Sequence, residues 1–110
     1  MAGDNQHDTI SVHELKSLMD KNESPLILDV RQPAEYEICN IGGVLIPLGE
    51  LSGRVNELDT DKDIVVMCHS GSRSFVAMRY LQRLGFKNVR NLSGGIDEWA
   101  VRIDPKMRRY

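Results

Sequence analysis

The chain has 110 residues, 41% of them hydrophobic and 27% charged, and its formal net charge is −2 at pH 7. This length fits a single domain with its own core. The slightly acidic balance excludes the basic surface that nucleic acid or an anionic membrane would attract. No apolar run has membrane-spanning length and no signal peptide follows Met1. Two cysteines without a disulfide pattern favour a reducing compartment, so we expect a cytoplasmic protein with neither a nucleic-acid nor a membrane partner.

Short apolar segments alternate with amphipathic segments along the chain. A polar start at residues 1–8 is expected to be flexible. The apolar segments predict strands at 9–10, 26–30, 44–46, 64–67 and 86–92. The amphipathic segments predict five helices: at 12–19, from Pro33, at 48–58, from near Ser72 or Arg73 to Leu84, and from 93 to about 102. The first helix follows a capping box formed by Ser11 and Glu14.

This alternation is typical of βαβ units. It predicts a three-layer α/β fold, with a central, mostly parallel sheet of about five strands and helices on both faces. The predicted domain covers residues 9–103, and residues 104–110 form a tail that we expect to be solvated. Asp29, Arg31 and Cys68 lie at or just after strand ends, so we expect them to share the sheet edge where ligands bind.

The segment 64–74 is the strongest candidate for a functional site. A buried strand ends in Cys68, a tight loop with Gly71 follows, and Arg73 lies where the next helix begins. The amides of such a loop can converge on an anion, the helix adds the positive end of its dipole, and Arg73 adds a fixed charge. Each of these lowers the pKa of a thiol, and the thiolate is the nucleophile.

The residues around this cysteine have both functional and structural interpretations. Cys68 itself could be core filler, since free cysteines are often buried. Ser70 and Ser72 can donate hydroxyl hydrogens to an anion. His69 is either a general base or, as we favour, a solvent-facing loop residue, because a thiolate activated by loop amides needs no base. We expect Ser74 to cap the helix rather than take part in chemistry.

Two further residues could belong to a site, but we favour structural roles for both. Cys39 is either a resolving cysteine or a packing residue, and Trp99 is expected to pack in the core. The sequence has no CxxC, no paired histidines and no HExxH, so we expect neither a metal nor another cofactor.

Three motifs resemble those of the rhodanese superfamily and occur in that family's order. They are Asp-Val-Arg at 29–31 with Glu35 and Tyr36 after it, the loop Cys-His-Ser-Gly-Ser-Arg-Ser at 68–74, and Gly-Gly-x-x-x-Trp at 94–99. The middle stretch, residues 39–44, departs from the commonest family pattern. Together with the Ile-Pro-Leu-Gly-Glu-Leu of residues 46–51, it resembles the rhodanese domain at the C-terminus of adenylyltransferase–sulfurtransferase fusions. The resemblance implies the rhodanese fold over residues 9–103.

The length of the loop distinguishes two kinds of chemistry within this resemblance. Four residues separate Cys68 from Arg73, whereas the phosphatase-like branch of the family and the cysteine phosphatases have five. The shorter loop resembles the sulfurtransferase version, which fits the terminal sulfur of a persulfide rather than a phosphate.

The resemblance implies a double-displacement sulfurtransferase. The Cys68 thiolate would take the outer sulfur of thiosulfate or of a persulfide donor, and the resulting persulfide would pass it to a thiophilic acceptor. The loop amides from His69 to Arg73 would hold the anion. Arg73 would pair with Glu35 or Asp29, or else attract the anionic donor, and Arg31 could attract the donor as well.

A second hypothesis makes the domain a carrier or a regulatory module. It would hold sulfur on Cys68 without independent turnover and act with a partner enzyme in molybdopterin or thiamine sulfur transfer. The partners implied by the resemblance are a sulfur-acceptor protein or an adenylation enzyme. Nothing in the sequence indicates an obligate interface, so we expect a monomer.

Overall fold

A computed structural model describes residues 8–110, and the segment predicted to be flexible lies, apart from Asp8, outside the described residues. Within these residues, five strands and five α-helices follow one another. The strands are β1 (Thr9–Ile10), β2 (Leu26–Asp29), β3 (Val44–Leu45), β4 (Asp63–Met67) and β5 (Asn88–Leu92). The helices are α1 (Val12–Asp20), α2 (Pro33–Ile38), α3 (Leu51–Arg54), α4 (Ser72–Arg83) and α5 (Gly95–Arg102).

The five strands form one parallel sheet in the order β1-β5-β4-β2-β3. Asp29 at the end of β2 pairs with Met67 at the end of β4, and the amide of Val30 donates to the carbonyl of Met67 at 3.0 Å. The residues that follow these two strands therefore leave the sheet at the same edge, as predicted for Asp29, Arg31 and Cys68.

Helices cover both faces of the sheet, which confirms the predicted three-layer α/β fold. Alternate residues of β4 enter different clusters: Ile64 and Val66 pack on the side of α3 and α4, and Val65 and Met67 on the side of α1 and α5. All four are completely buried. A strand that is buried on both faces has a continuous run of apolar residues. This explains why apolar and polar residues do not alternate in the sequence of β4.

The structure differs from the sequence prediction most clearly at residues 48–58. A single helix was predicted there, but a 3₁₀ turn at Leu48–Glu50, the short helix α3 and a second 3₁₀ turn at Val55–Glu57 occupy the segment. Gly49 and Gly53 lie inside this segment and disfavour a continuous helix. Among residues 8–110, no helix combines the length and the apolar character that a membrane crossing requires.

The C-terminal residues 104–110 fold back onto the domain, and the sequence did not predict these contacts. Met107 packs against the α1/α5 cluster. Arg109 donates to the carboxylate of Asp97 at 2.9 and 3.1 Å, and Tyr110 reaches the loop after β2, where its hydroxyl lies 3.0 Å from a guanidinium nitrogen of Arg31. These contacts hold a segment whose basic side chains, Lys106, Arg108 and Arg109, are nevertheless exposed, as expected for a solvated tail.

Candidate active site

Cys68 lies directly after β4 and is 1% exposed. Its Sγ accepts three hydrogen bonds from the loop and from the first turn of α4. The amide of Gly71 donates at 3.1 Å, the amide of Ser74 at 3.4 Å and the hydroxyl of Ser74 at 3.3 Å. The sulfur thus occupies the centre of a ring of donors, as the strand–loop–helix pattern predicts.

The loop turns its amides inward because its carbonyl groups are bound from outside. The carbonyls of Cys68 and His69 accept from the amides of Ile96 and Asp97, in the first turn of α5, at 2.9 and 3.0 Å. This approach requires glycine at position 95, where a Cβ atom would lie 2.5 Å from both carbonyl oxygens. The backbones of the loop and of α5 therefore lie in close contact at this position.

Two opposing effects set the acidity of the Cys68 thiol. Burial raises its pKa, while the hydrogen bonds from the hydroxyl and amide of Ser74 and from the amides of Gly71 and Ser70 lower it. The hydrogen bonds outweigh burial, so the pKa of Cys68 lies below its ordinary value. The N-terminal end of α4 points at the same sulfur and also favours the negative form.

Arg73 is fixed by Glu35 of α2, which is one of the two partners predicted for it. The guanidinium donates to both carboxylate oxygens at 2.8 Å, a bidentate geometry. The carboxylate also accepts from the amide of Gln32 at 3.0 Å. These contacts, with the Arg73 hydrogen bonds as the main cause, lower the pKa of Glu35 to about 2. Asp29 was the other predicted partner of Arg73, and it binds a different arginine.

Arg31 is the partner of Asp29, and its side chain is completely buried. It donates to both oxygens of Asp29, to the carbonyls of Glu35 and Cys39, and to the hydroxyl of Tyr110, at 2.7 to 3.2 Å. These contacts occupy all five N–H groups of a guanidinium. The prediction that Arg31 attracts an anionic donor therefore disagrees with the structure, because its guanidinium is neither exposed nor available.

Ser74 also departs from its predicted role. Helix α4 begins at Ser72 with Gly71 as its N-cap residue, at φ +117°. The fully buried hydroxyl of Ser74 faces Cys68 and lies 2.5 Å from Oδ1 of Asn91. Ser74 therefore contacts the sulfur instead of capping the helix, because the N-cap residue is Gly71, three residues earlier.

The remaining predicted residues lie around the mouth of the loop. Ser70 and Ser72 are exposed, so an anion that enters from solvent can reach their hydroxyl groups. His69 is only partly solvent-facing: its ring stacks on Tyr110 with centroids 4.4 Å apart, and its Nε2 lies 3.9 Å from Asp97. Within residues 8–110, no cluster of three or more His, Cys, Asp or Glu side chains is placed to hold a metal ion.

Cys39 lies at the end of α2 and is half-buried. Its side chain packs against the α1/α5 cluster, and its carbonyl accepts from Arg31 at 2.8 Å. These contacts favour the packing role over that of a resolving cysteine.

A model of the rhodanese-like domain family matches residues 11–102. The chain belongs to this family. It is 46% identical over 96 residues to the Bacillus subtilis protein named "Putative sulfur carrier protein YrkF", a match that covers 86% of this chain and 52% of that protein. It is 31% identical over 118 residues to the adenylyltransferase and sulfurtransferase MOCS3 of Arabidopsis thaliana, and this match covers 92% of the chain and 25% of MOCS3.

Among solved structures, the human single-domain sulfurtransferase TSTD1 superposes with a TM-score of 0.76 at 26% identity, covering 86% of this chain and 96% of that one. The rhodanese-like chain thus spans about half of the Bacillus relative and a quarter of MOCS3, but nearly all of the human structure. The predicted resemblance to the fusion proteins is confirmed, and the family contains both sulfurtransferases and sulfur carriers.

The sequence prediction of this rhodanese-like site omitted two residues that contact it. Asn91 lies on β5 and donates from its amide nitrogen to the carbonyl of Gly71 at 3.1 Å. Tyr110 donates its hydroxyl to Glu35 at 2.9 Å. Asn91 occurs just before the Gly-Gly motif, so its place beside the loop could have been found from the strand register. No local pattern indicates the contacts of Tyr110.

Proposed function

We propose that this domain is a sulfurtransferase that moves sulfane sulfur from thiosulfate or a persulfide donor to a thiophilic acceptor through a persulfide on Cys68. The observation that carries the proposal is the three hydrogen bonds to the Cys68 sulfur, two from backbone amides and one from a hydroxyl, with Sγ lying at the end of a parallel strand. They favour the thiolate, which is the nucleophilic form of cysteine.

The first half-reaction begins with attack by the Cys68 thiolate on the outer sulfur of thiosulfate. A bond forms between Sγ and that sulfur, the bond to the sulfonate sulfur breaks, and sulfite leaves with the electron pair. The negative charge then lies on the outer sulfur of the persulfide. Loop amides from His69 to Arg73 and the hydroxyls of Ser70 and Ser72 are the donors proposed to hold it.

The second half-reaction restores the thiolate. An acceptor nucleophile attacks the outer sulfur, takes it as a thiocyanate or a new persulfide, and Cys68 leaves with the electrons of the S–S bond. Arg73 would keep the loop in shape through Glu35, and the buried pair of Asp29 and Arg31 would hold the neighbouring loop. These are positioning roles, in keeping with the internal hydrogen bonds of both arginines.

A carrier without independent turnover is the second candidate. Its support is the 46% identity to a relative named as a putative sulfur carrier, together with the burial of Cys68, which is 1% exposed. In this case the partner would be a sulfur-acceptor protein or an adenylation enzyme. The name of MOCS3 combines an adenylyltransferase with a sulfurtransferase, which supports an adenylation enzyme as partner. The two free cysteines support a reducing compartment such as the cytoplasm.

Intact mass spectrometry after treatment with thiosulfate tests the central step. We expect wild type and Cys39→Ser to gain the mass of one sulfur atom and Cys68→Ser to gain none. A thiocyanate assay with thiosulfate and cyanide then separates the two candidates: steady production supports the enzyme, and an adduct without turnover supports the carrier. If wild type gains no sulfur from thiosulfate or from a small-molecule persulfide, the persulfide proposal is wrong.

A further inference from the structure

Asn91 has a fixed orientation beside the catalytic loop. Its side chain is 7% exposed, and one end of its amide lies 3.1 Å from the carbonyl oxygen of Gly71. A carbonyl can only accept, so the atom facing it is Nδ2, which donates. The other end, Oδ1, must then face the hydroxyl of Ser74 at 2.5 Å, where it can only accept.

Ser74 therefore has one hydroxyl hydrogen and two acceptors for it. One is Oδ1 of Asn91 at 2.5 Å and the other is Sγ of Cys68 at 3.3 Å. When Cys68 is a neutral thiol, its S–H donates to Ser74, and Ser74 donates to Asn91, so every group in the chain has a partner. When Cys68 is a thiolate, the hydroxyl hydrogen turns to the sulfur, and the two oxygen atoms face each other without a hydrogen between them.

We infer that Asn91 is a positioning residue that acts through Ser74: it withdraws the hydroxyl hydrogen from Sγ and so favours the states of Cys68 in which Sγ carries no charge. The neutral thiol is one such state. The persulfide is the other, because its charge lies on the outer sulfur; this part of the inference rests on the proposed function. As the S–S bond forms and sulfite leaves, the hydrogen of Ser74 returns from Sγ to Asn91, and no proton is gained or lost.

The charged groups around the sulfur are paired without the help of Asn91. Arg73 binds Glu35 at 2.8 Å and Arg31 binds Asp29 at 2.7 Å. On the α5 side, His69 lies 3.9 Å from the carboxylate of Asp97, which also binds Arg109 at 2.9 Å. Substitution at position 91 leaves these pairs in place, so their field at Cys68 is common to all the variants compared below.

The pH dependence of alkylation by iodoacetamide measures the thiol pKa of Cys68 in a Cys39→Ser background, where it is the only cysteine. We expect Asn91→Ala to lower this pKa by about one unit, a tenfold change in the ionisation constant, because Ser74 then donates to the thiolate without competition. Ser74→Ala should raise the pKa. In the Ser74→Ala background, Asn91→Ala should have no further effect, since its route to the sulfur is gone.

The double substitution separates this role from simple support of the loop. If Asn91 acted only through its hydrogen bond to Gly71, Asn91→Ala would change the pKa of Cys68 equally with Ser74 in place and in the Ser74→Ala background. That result would overturn the inference, and so would an unchanged or raised pKa of Cys68 in Asn91→Ala. Urea unfolding checks that each variant is folded, and Asn91→Val, whose side chain suits a strand, replaces Asn91→Ala if the latter unfolds.

A second measurement follows the persulfide. At a fixed ratio of thiosulfate to sulfite, and at a pH above the thiol pKa that alkylation gives for both proteins, the sulfur-free form is the thiolate. Intact mass should then show a smaller persulfide fraction in Asn91→Ala than in wild type, and an equal or larger fraction would contradict the inference. If no variant forms a persulfide, the proposed function fails, whereas the alkylation profile still decides whether Asn91 acts through Ser74.

Discussion

The ion pair between Glu35 and Arg73 allows a quantitative prediction about stability and pH. The side chain of Glu35 is 19% exposed, and its carboxylate is held by the two terminal nitrogens of Arg73, by the amide of Gln32 and by the hydroxyl of Tyr110. These contacts lower its pKa from 4.5 to about 2. A difference of about 2.5 pH units corresponds to about 3 kcal/mol of folding free energy when the group is ionised.

The pKa of Glu35 is lower in the folded chain than in the unfolded chain. Its contribution is therefore fully present above the unfolded pKa of 4.5 and is lost as the pH falls towards 2. Glu35→Gln cannot ionise, and it should be less stable than wild type by up to about 3 kcal/mol at neutral pH. The difference should shrink steadily below pH 4.5, because wild type loses its advantage as Glu35 is protonated.

Urea unfolding of wild type, Glu35→Gln and the control Glu37→Gln, at several values between pH 7 and pH 3, measures this difference. Glu37 lies on the same helix but is exposed, so its substitution should change stability by less than about 0.5 kcal/mol. A gap between wild type and Glu35→Gln that is the same at pH 3 as at pH 7 would refute the reasoning. So would a loss of equal size in Glu37→Gln.

Two further substitutions test the packing around the site. Tyr110→Phe removes the two hydrogen bonds of the hydroxyl and keeps the stacked ring, and it should cost about 1 kcal/mol in urea unfolding. Tyr80→Phe is its control, because the Tyr80 hydroxyl has no hydrogen-bond partner among the described residues; equal losses would show that the contacts of Tyr110 do not stabilise the fold. Gly95→Ala should cost about 2 kcal/mol or more, since its Cβ would lie 2.5 Å from two loop carbonyls at φ +60°. Gly53→Ala, with no atom within 4 Å of its Cβ, should be neutral or stabilising, and a matching loss there would contradict the steric argument.

Local sequence patterns were sufficient to predict most of the fold and the position of the reactive cysteine. The buried strand before Cys68, the glycine loop and the amphipathic α4 are all encoded within about twenty consecutive residues, where hydrophobic periodicity is a strong signal. The capping box of Ser11 and Glu14 is likewise local and was predicted correctly. Parallel pairing then follows from the alternation of strands and helices.

Contacts between distant residues could not be predicted in the same way. Tyr110 reaches Glu35 across 75 positions and Arg31 across 79, and the sequence shows only that the tail is basic. The choice of partners for the two arginines is a similar case. Arg31 lies two residues after Asp29, so their pairing is local. The burial of the Arg31 guanidinium depends on distant residues, and a short-range pattern does not show it.

The pairing of these arginines bears on which anion the loop can hold. Asp29 neutralises Arg31 and Glu35 neutralises Arg73, so the two guanidinium groups bring no net positive charge to the sheet edge. What remains is the ring of amide hydrogens and the N-terminal end of α4, worth roughly half an elementary charge. That field suits the single negative charge on the outer sulfur of a persulfide. The covalent intermediate of a cysteine phosphatase instead carries a phosphoryl group, whose charge is spread over three oxygens, and phosphate recognition uses arginine as a bidentate donor to the ligand itself. The carboxylates of Asp29 and Glu35 therefore favour a persulfide over a phosphoryl group on Cys68, for a reason independent of the four-residue spacing between Cys68 and Arg73.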